Sequence, residues 1–307
     1  MIALTTTNEF LGVIQASLGY APQSLEPDRF CRFGPHKSGW AKLFSDGFGG
    51  VFGDHRQSVS SHWSAHQPQH QSPAELASMR RQIRLAALER EAKQHAQGAK
   101  NAQRNAALWT ASVPAGDAVR SYLAARGLAH WTIPPCIRQH PGLAYWHADD
   151  NGELHMLGRY PAMLAPIVSG GKLLAIHRTY LGDGCKADVP TPKKLTAASG
   201  PLAGACIPLD RPRGGVLGIA EGIETAVAAS LGSGLPVLAA YCANALAGFT
   251  FPRCIERLVI FADHDPAGQK AAAALSHRAT RAGLTPKTLT PSKPRSDWAD
   301  VWLEGLQ

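Results

Sequence analysis

From Gly215 onward the chain alternates short apolar runs with amphipathic stretches, and this alternation restricts the fold more than any other feature of the sequence. Val216–Ala220, Pro236–Ala240, Leu258–Ala262 and Lys287–Leu289 read as strands, while Ile223–Leu231, Ala243–Phe249 and Ala267–Ala282 read as helices. Strands this short and this uniformly apolar are buried on both faces, and a parallel sheet with helices on either side buries them so. The expected fold class is α/β, with a Rossmann-like parallel sheet over residues 214–307.

Open sheets of this kind bind ligands beyond the carboxyl ends of their strands. Two of the predicted strands end in carboxylates. GVLGIA runs into Glu221-Gly222, with Glu224 one helical turn on, and LVIFA runs into Asp263-His264-Asp265-Pro266-Ala267-Gly268. If those strands are neighbours, Glu221, Asp263 and Asp265 converge on one crevice. Carboxylates at short range repel, so an ionised set calls for a cation, and all-oxygen ligands suit Mg²⁺ or Mn²⁺. Such a metal beside a basic surface suits reactions at phosphate esters. Each acid also has a plain structural reading. Asp265 stands where an N-cap precedes Pro266, Asp263 can close an Asx turn, and Glu224 can complement a helix dipole.

Upstream, four further segments are expected. Residues 1–70 read as a small β-rich module, its aromatic runs around Phe30, Trp40, Phe44 and Phe52 punctuated by Gly34-Pro35, Asp46-Gly47 and Gly49-Gly50. Trp40 and Phe44 could stack bases, although burial in the module's core is the commoner fate of such residues. His36, His55, His62, His66 and His70 fall in or just after it, but Cys31 and His36 have no second pair at finger spacing, so zinc is not expected. Residues 62–72 form a polar linker. Ser72-Pro73 then opens a long basic helical connector over 73–110, with Leu76, Met79, Ile83 and Leu88 as a narrow apolar stripe. Beyond Ala92 only alanines remain among polar and basic residues, and the second half of this helix is expected to be an exposed arm. Residues 111–213 read as a mixed α/β subdomain. It contains a short helix from Asp117, a hairpin turning at Gly170-Gly171, and a loop that carries Lys186, Lys193 and Lys194. Alternation along the second hairpin strand places His177 and Thr179 on one face, Arg178 and Tyr180 on the other.

Charge follows the same division. Lys and Arg number 31 against 23 Asp and Glu, a surplus of 8. Residues 1–72 hold five of each sign and residues 214–307 eight of each, so the surplus lies between, +4 in 73–110 and +4 in 111–213. A basic middle beside an acid-studded end suggests a polyanion partner next to a metal site. The six scattered cysteines show no C-x-x-C pair, which points to reduced thiols and a cytoplasmic location. Glu221 and Glu224 interrupt the longest apolar stretch, and the first ten residues lack a basic region, so neither a membrane span nor a signal peptide is expected.

Strand-Glu-Gly-helix followed by strand-Asp-x-Asp-x-x-Gly-helix resembles the Toprim domain of bacterial-type primases, topoisomerases and some nucleases. The resemblance implies that Glu221 is a general acid/base and that Asp263 and Asp265 hold the divalent metal. Gly222 and Gly268 match the turn glycines, and Asp297 and Asp300 in SDWADVW look like the family's later acidic element. EGIETA, HRTYL (177–181), PAM (161–163) and the RF…GW…DG…GVFG pattern look like primases encoded by phages and mobile elements. That similarity implies primer synthesis from NTPs on single-stranded DNA, with a replicative helicase acting in trans. Arg178, Lys186, Lys193 and Lys194 are the matching candidates for contacts to template and nucleotide. The chain departs from the primase pattern at Thr225, where an aspartate is usual. No G-x-x-x-x-G-K-[ST] occurs, so helicase activity in this chain is excluded. A Toprim nuclease and a non-catalytic nucleic-acid-binding or anti-restriction protein remain as alternatives.

Overall fold

The computed structural model describes residues 2–57, 59–65, 73–149 and 153–306. They form two compact units, Met1–Gln94 and His95–Gln307.

The first unit is a four-stranded antiparallel sheet with a helix on one face. Strands β1 (Cys31–Phe33), β2 (Gly39–Leu43), β3 (Gly49–Asp54) and β4 (Val59–Ser64) pair in chain order. The β-rich reading of 1–70 left out helix α1 (Ile2–Leu18), which supplies Phe10, Ile14 and Leu18 to the core. Phe10, Ile14 and Leu18, one turn apart each time, pack on Phe33, Ala41, Leu43 and Phe52. Gly50 makes that contact possible, because a Cβ there would lie 2.6 Å from the Phe10 ring. Trp40 points to the other face, half-buried, between Phe30 and His55, with ring centroids 5.9 and 6.2 Å away. Phe44 is half-buried beneath the Arg90 guanidinium, 4.6 Å from its ring centre. His36, His55 and His62 are exposed, while His66, His70 and the proposed Ser72 cap lie outside the described residues.

Helix α2 runs from Pro73 to Thr110. Of its predicted apolar stripe, Ile83 is half-buried but Leu88 is 54% exposed, and the side chains of Leu76 and Met79 lie outside the described set. The second half is not the exposed arm that its composition suggested. Within the second unit, Asn101 and Asn105 are buried, and their amides donate to main-chain carbonyls: Asn101 to Ala198 at 2.8 Å, Asn105 to Leu174 and Ala197 at 3.1 Å each. One turn earlier Gly98 approaches so closely that a Cβ would stand 2.5 Å from the Ser199 carbonyl. The helix thus docks through a stripe of small and amide side chains, which a search for apolar periodicity does not see.

The rest of the second unit holds two sheets. The first is antiparallel: β5 (Val113–Pro114), β6 (Arg138–Ala148), β7 (Leu154–Ser169), β8 (Lys172–Tyr180) and β9 (Lys193–Leu195) pair in that order, with α3 (Asp117–Ala125) between β5 and β6. The β7–β8 hairpin turns at Gly170-Gly171, both at positive φ, as the sequence indicated. Lys193 and Lys194, read as part of a flexible loop, instead lie in β9 and pair with Thr179 and Arg178.

The second sheet is fully parallel, with strands β10 (Val216–Ala220), β11 (Val237–Ala239), β12 (Arg257–Phe261) and β13 (Thr285–Leu289) in the order β11-β10-β12-β13. Alternate residues face opposite ways. Leu217, Ile219, Leu258 and Ile260 pack with Leu246 of α5 (Ala243–Gly248) and with Leu275 and Ala279 of α6 (Pro266–Arg281). Val216, Ala220, Val259 and Phe261 pack toward α4 (Ile223–Ser233) and α7 (Trp298–Glu304). That second cluster continues without a break into Tyr122, Leu123, Met163, Ala165 and Ile167, so the mixed α/β segment and the parallel sheet share one core. Among the described residues, no helix is long and apolar enough to cross a membrane.

Candidate functional site

Chain order reverses between β10 and β12, because β10 leads to β11 on one side and the chain then returns to β12 on the other. The two strands pair in register from Val216↔Arg257 to Ala220↔Phe261. Their carboxyl ends therefore open a crevice at the switch point, the usual ligand position in such sheets. Glu221 follows one strand directly, and Asp263 follows the other two residues beyond its end.

A third segment closes the crevice. His264 N–H donates to the Ser296 carbonyl at 3.0 Å, and Arg295 N–H donates back to the His264 carbonyl at 2.9 Å. This pair draws Asp297 to the Asp263 loop. Asp297 caps α7, accepting from Ala299 N–H at 2.7 Å and Asp300 N–H at 2.9 Å, while Asp300 accepts from the Asp297 N–H at 3.1 Å. Asp265 caps α6, accepting from Gly268 N–H at 2.7 Å. Capping and proximity to the site are thus combined in the same side chains, and each of these carboxylates keeps a second oxygen. Gly268 is required by packing, since a Cβ there would lie 2.9 Å from the Asp263 carbonyl oxygen and 3.2 Å from its Cβ. Gly222 has an ordinary extended φ of −96° and precedes α4 as its N-cap.

A cavity of about 210 Å³ lies at this crevice. Its lining combines the acids Glu221, Glu224, Asp263 and Asp297 with the bases Arg126, Lys186 and Lys193, and His177 lies among them. Burial, then the charges of Glu221, Asp297, Asp265 and Asp300, push the Asp263 carboxyl up to about 7. Burial and the Asp265 charge raise Glu221. Asp263 Oδ1 is buried with no hydrogen-bond partner. A carboxylate oxygen in that state, crowded by other acids, fits a cation. Asp263, with Glu221, Asp265, Asp297 and Asp300 around it, could hold a divalent ion. Among the described residues, however, the trio whose ligand atoms all lie within 4.8 Å of one another is Asp149, Glu153 and His155, at the far end of the β6–β7 hairpin. The strand-end acids are more widely set than that.

The four basic candidates separate. Lys193 and Lys186 line the cavity. Arg178 turns away on the opposite face of β8 and donates to the Leu195 carbonyl at 2.6 Å and to Tyr180 Oη at 3.3 Å. Lys194 also turns away, donating to the Trp146 carbonyl with its ammonium 3.9 Å from the centre of the Tyr145 ring. The period of two along β8 and β9 explains the split. Arg126 and His177 were not singled out as site residues. The signal for His177 was its place on the Thr179 face of β8, whereas nothing local marks Arg126. His177 is buried with an unpartnered Nδ1, and burial followed by the Lys193 charge brings it down to about 4, so it is neutral near pH 7. Both oxygens of Glu224, which also lines the cavity, are engaged by neighbouring side chains. It is 4% exposed and accepts from Lys193 Nζ at 2.9 Å and Tyr122 Oη at 2.5 Å.

A parallel sheet with acids at its switch point and a capped acidic helix alongside defines the class of domain. Residues 216–307 match the family model of the Toprim domain, and this part of the chain is a Toprim domain. Residues 99–207 match a domain of unknown function, DUF7146. No curated protein matches the chain. Among solved structures, it is similar to the DnaG primase catalytic domain bound to ssDNA, at 16% identity over 68% of this chain and 78% of that one, with a TM-score of 0.47. It is also similar to the zinc-binding and RNA polymerase domains of the Aquifex aeolicus primase, at 14% identity over 99% and 82%, TM-score 0.41. A DNA primase domain from Pseudomonas aeruginosa matches at 16% identity over 53% of this chain, TM-score 0.36, and the chain spans 52% of that domain's length.

Proposed function

We propose that this chain is a primase-type nucleotidyltransferase that makes short RNA primers on single-stranded DNA with Mg²⁺ or Mn²⁺. The observation that carries this reading is Asp263: an acid with a buried, unpartnered oxygen, crowded by carboxylates, in the lining of one small cavity with two lysines and an arginine. A divalent ion bound at Asp263 and its neighbouring acids would neutralise nucleotide phosphates and polarise the α-phosphate. Lys193, Lys186 and Arg126, in the same lining, meet the phosphate oxygens. Glu221, whose proton affinity is raised by burial and by Asp265, takes the proton of the attacking 3′-hydroxyl. The surplus charge of 73–213 holds the template backbone, a contact that weakens with salt. In this reading the protein works in the cytoplasm, and a replicative helicase is supplied in trans.

A primer-synthesis assay on a single-stranded template with NTPs tests the proposal. Wild type yields extension products, while Glu221→Gln and Asp263→Asn lower the yield by about 10²-fold or more, the usual weight of a general base. Equal activity in all three proteins overturns it. Shortened template without extension assigns the site to phosphodiester hydrolysis, and DNA binding unchanged by chelator with no turnover assigns the chain to the non-catalytic class.

A further inference from the structure

Lys193 is the cavity cation with a fixed partner. Its ammonium bonds Glu224 Oε2 at 2.9 Å, while its side chain stays 37% exposed. Glu224 is 4% exposed, sits in the first turn of α4, and spends its other oxygen on Tyr122 Oη of α3. Three elements from separate parts of the chain, α3, α4 and β9, therefore meet at one carboxylate. A lysine ammonium has three donors, and Glu224 takes one of them. Opposite Lys193 in the β8–β9 register is Thr179, whose buried hydroxyl has no partner, and the unpartnered His177 Nδ1 lies on the same face.

A cation on a four-carbon stem ordinarily roams, and fixing it costs rotamer entropy. Here that cost is met during folding, by an ion pair to a buried carboxylate. Resting on the nucleotide-binding reading above, we propose that Glu224 is a positioning residue. It aims the Lys193 ammonium into the cavity so that a nucleotide phosphate opposite Asp263 meets a fixed cation. Glu224 itself touches neither metal nor nucleotide. Its charge lies in the lining of the same cavity and opposes an incoming anion, so it trades affinity for placement. That opposition gives the proposal a signature that a purely structural ion pair lacks.

The test uses the full chain and three proteins: wild type, Glu224→Gln and Lys193→Met. ATP affinity is measured by calorimetry without divalent metal, primer-synthesis kcat and KM are measured with it, and melting temperature is recorded for each. Glu224→Gln keeps acceptor and donor atoms for Lys193 and Tyr122 but removes the opposing charge. It should bind ATP as tightly as wild type or up to about 10-fold tighter, the sign expected when a like charge leaves the ligand's neighbourhood. Its kcat should fall by about 10- to 100-fold as Lys193 loses its fixed point. Lys193→Met should weaken ATP binding by about 10-fold or more, as loss of a phosphate-contacting charge does. Unchanged kcat in Glu224→Gln overturns the proposal. So does weaker ATP binding that tracks a lower melting temperature, which marks the pair as scaffold only. If wild type synthesises no primer, the primase reading fails by itself, and the calorimetry decides alone. In that case the positioning role stands if Lys193→Met binds ATP more weakly while Glu224→Gln binds it more tightly, and falls on any other pattern, absence of binding by wild type included.

Discussion

His264 and Ser296 are joined main chain to main chain, the His264 N–H donating to the Ser296 carbonyl at 3.0 Å, and this bond seats the second acidic element against the first. Side-chain identity at 264 is not what makes the contact. The acids of the Asp-x-Asp loop and of α7 are held together by backbone geometry, and their mutual repulsion is imposed by the fold.

That repulsion makes the stability of the metal-free protein depend on pH. Asp263 is raised to about 7 from an ordinary carboxyl value, with burial the first cause and neighbouring acids the next. The folded state therefore binds the proton more tightly than the unfolded chain does, and the stabilisation is complete in acid and lost as pH rises through about 7. His177, held down to about 4, contributes the opposite slope below its ordinary value, so the Asp263 effect is read as a difference between two proteins. Without metal, the melting temperature of wild type should fall relative to that of Asp263→Asn between pH 5 and pH 8, and saturating Mg²⁺ should shrink that change. A metal-free difference that rises over this range would contradict the crowding described.

Asp297 separates capping from charge. Asparagine caps a helix about as well as aspartate, whereas alanine loses roughly 0.5–2 kcal/mol. Asp297→Asn should keep the wild-type melting temperature while weakening Mg²⁺ binding measured by calorimetry. Asp297→Ala should lose both. Equal Mg²⁺ affinity in wild type and Asp297→Asn would confine Asp297 to capping α7.

Gly268→Ala places a methyl 2.9 Å from the Asp263 carbonyl oxygen. Either α6 or the Asp263 loop must shift, a strain of about 1–3 kcal/mol. Chemical denaturation should show that loss, and Mg²⁺ affinity should fall with it because the displaced loop carries Asp263.

Gly98→Ala sets two effects against each other. Alanine favours a helix interior by about 1 kcal/mol over glycine, but the added Cβ stands 2.5 Å from the Ser199 carbonyl. Overpacking of this kind costs about 1–3 kcal/mol, so the clash should win and the melting temperature should drop. A rise would show that the helix is not pressed against the 197–199 segment.

The basic candidates should respond unequally. Lys186→Ala should raise the nucleotide KM by about 10-fold in the primer assay, as expected for a lost phosphate contact. Arg178→Ala and Lys194→Ala, whose cations are tied to carbonyls and rings on the far face of the sheet, should leave that KM close to wild type.

The parallel sheet was legible because its signal is local: apolar runs of strand length between amphipathic helices, two of them leading into carboxylates. The β10–β12 adjacency was a condition for Glu221 and Asp263 to share a crevice, and the strand pairing meets it. The partners of those acids were not legible in the same way. Whether Lys193 or Lys194 reaches the cavity depends on β9 pairing with β8, and a three-residue strand in a Pro- and Gly-rich stretch carries too little pattern to announce it. Arg126, at the C-cap of α3, arrives by tertiary packing alone. Helix α1 was missed because three consecutive threonines and a glycine weaken its propensity, and its stability comes from Phe10, Ile14 and Leu18 on the sheet. The second half of α2 was misread because only apolar residues were counted as able to bury a face.

The docking of that half-helix has an evolutionary corollary. Asn101 and Asn105 grip peptide carbonyls at 174, 197 and 198, and Gly98 abuts another at 199. Every amino acid offers the same carbonyl, so the strip beneath the helix can drift in composition without loosening it. The helix side enjoys no such latitude, since leucine at 101 or 105 would strand those carbonyls and any side chain at 98 would collide. Tolerance to substitution across this interface should be lopsided, permissive at Leu174, Ala197, Ala198 and Ser199 and strict at three positions of α2.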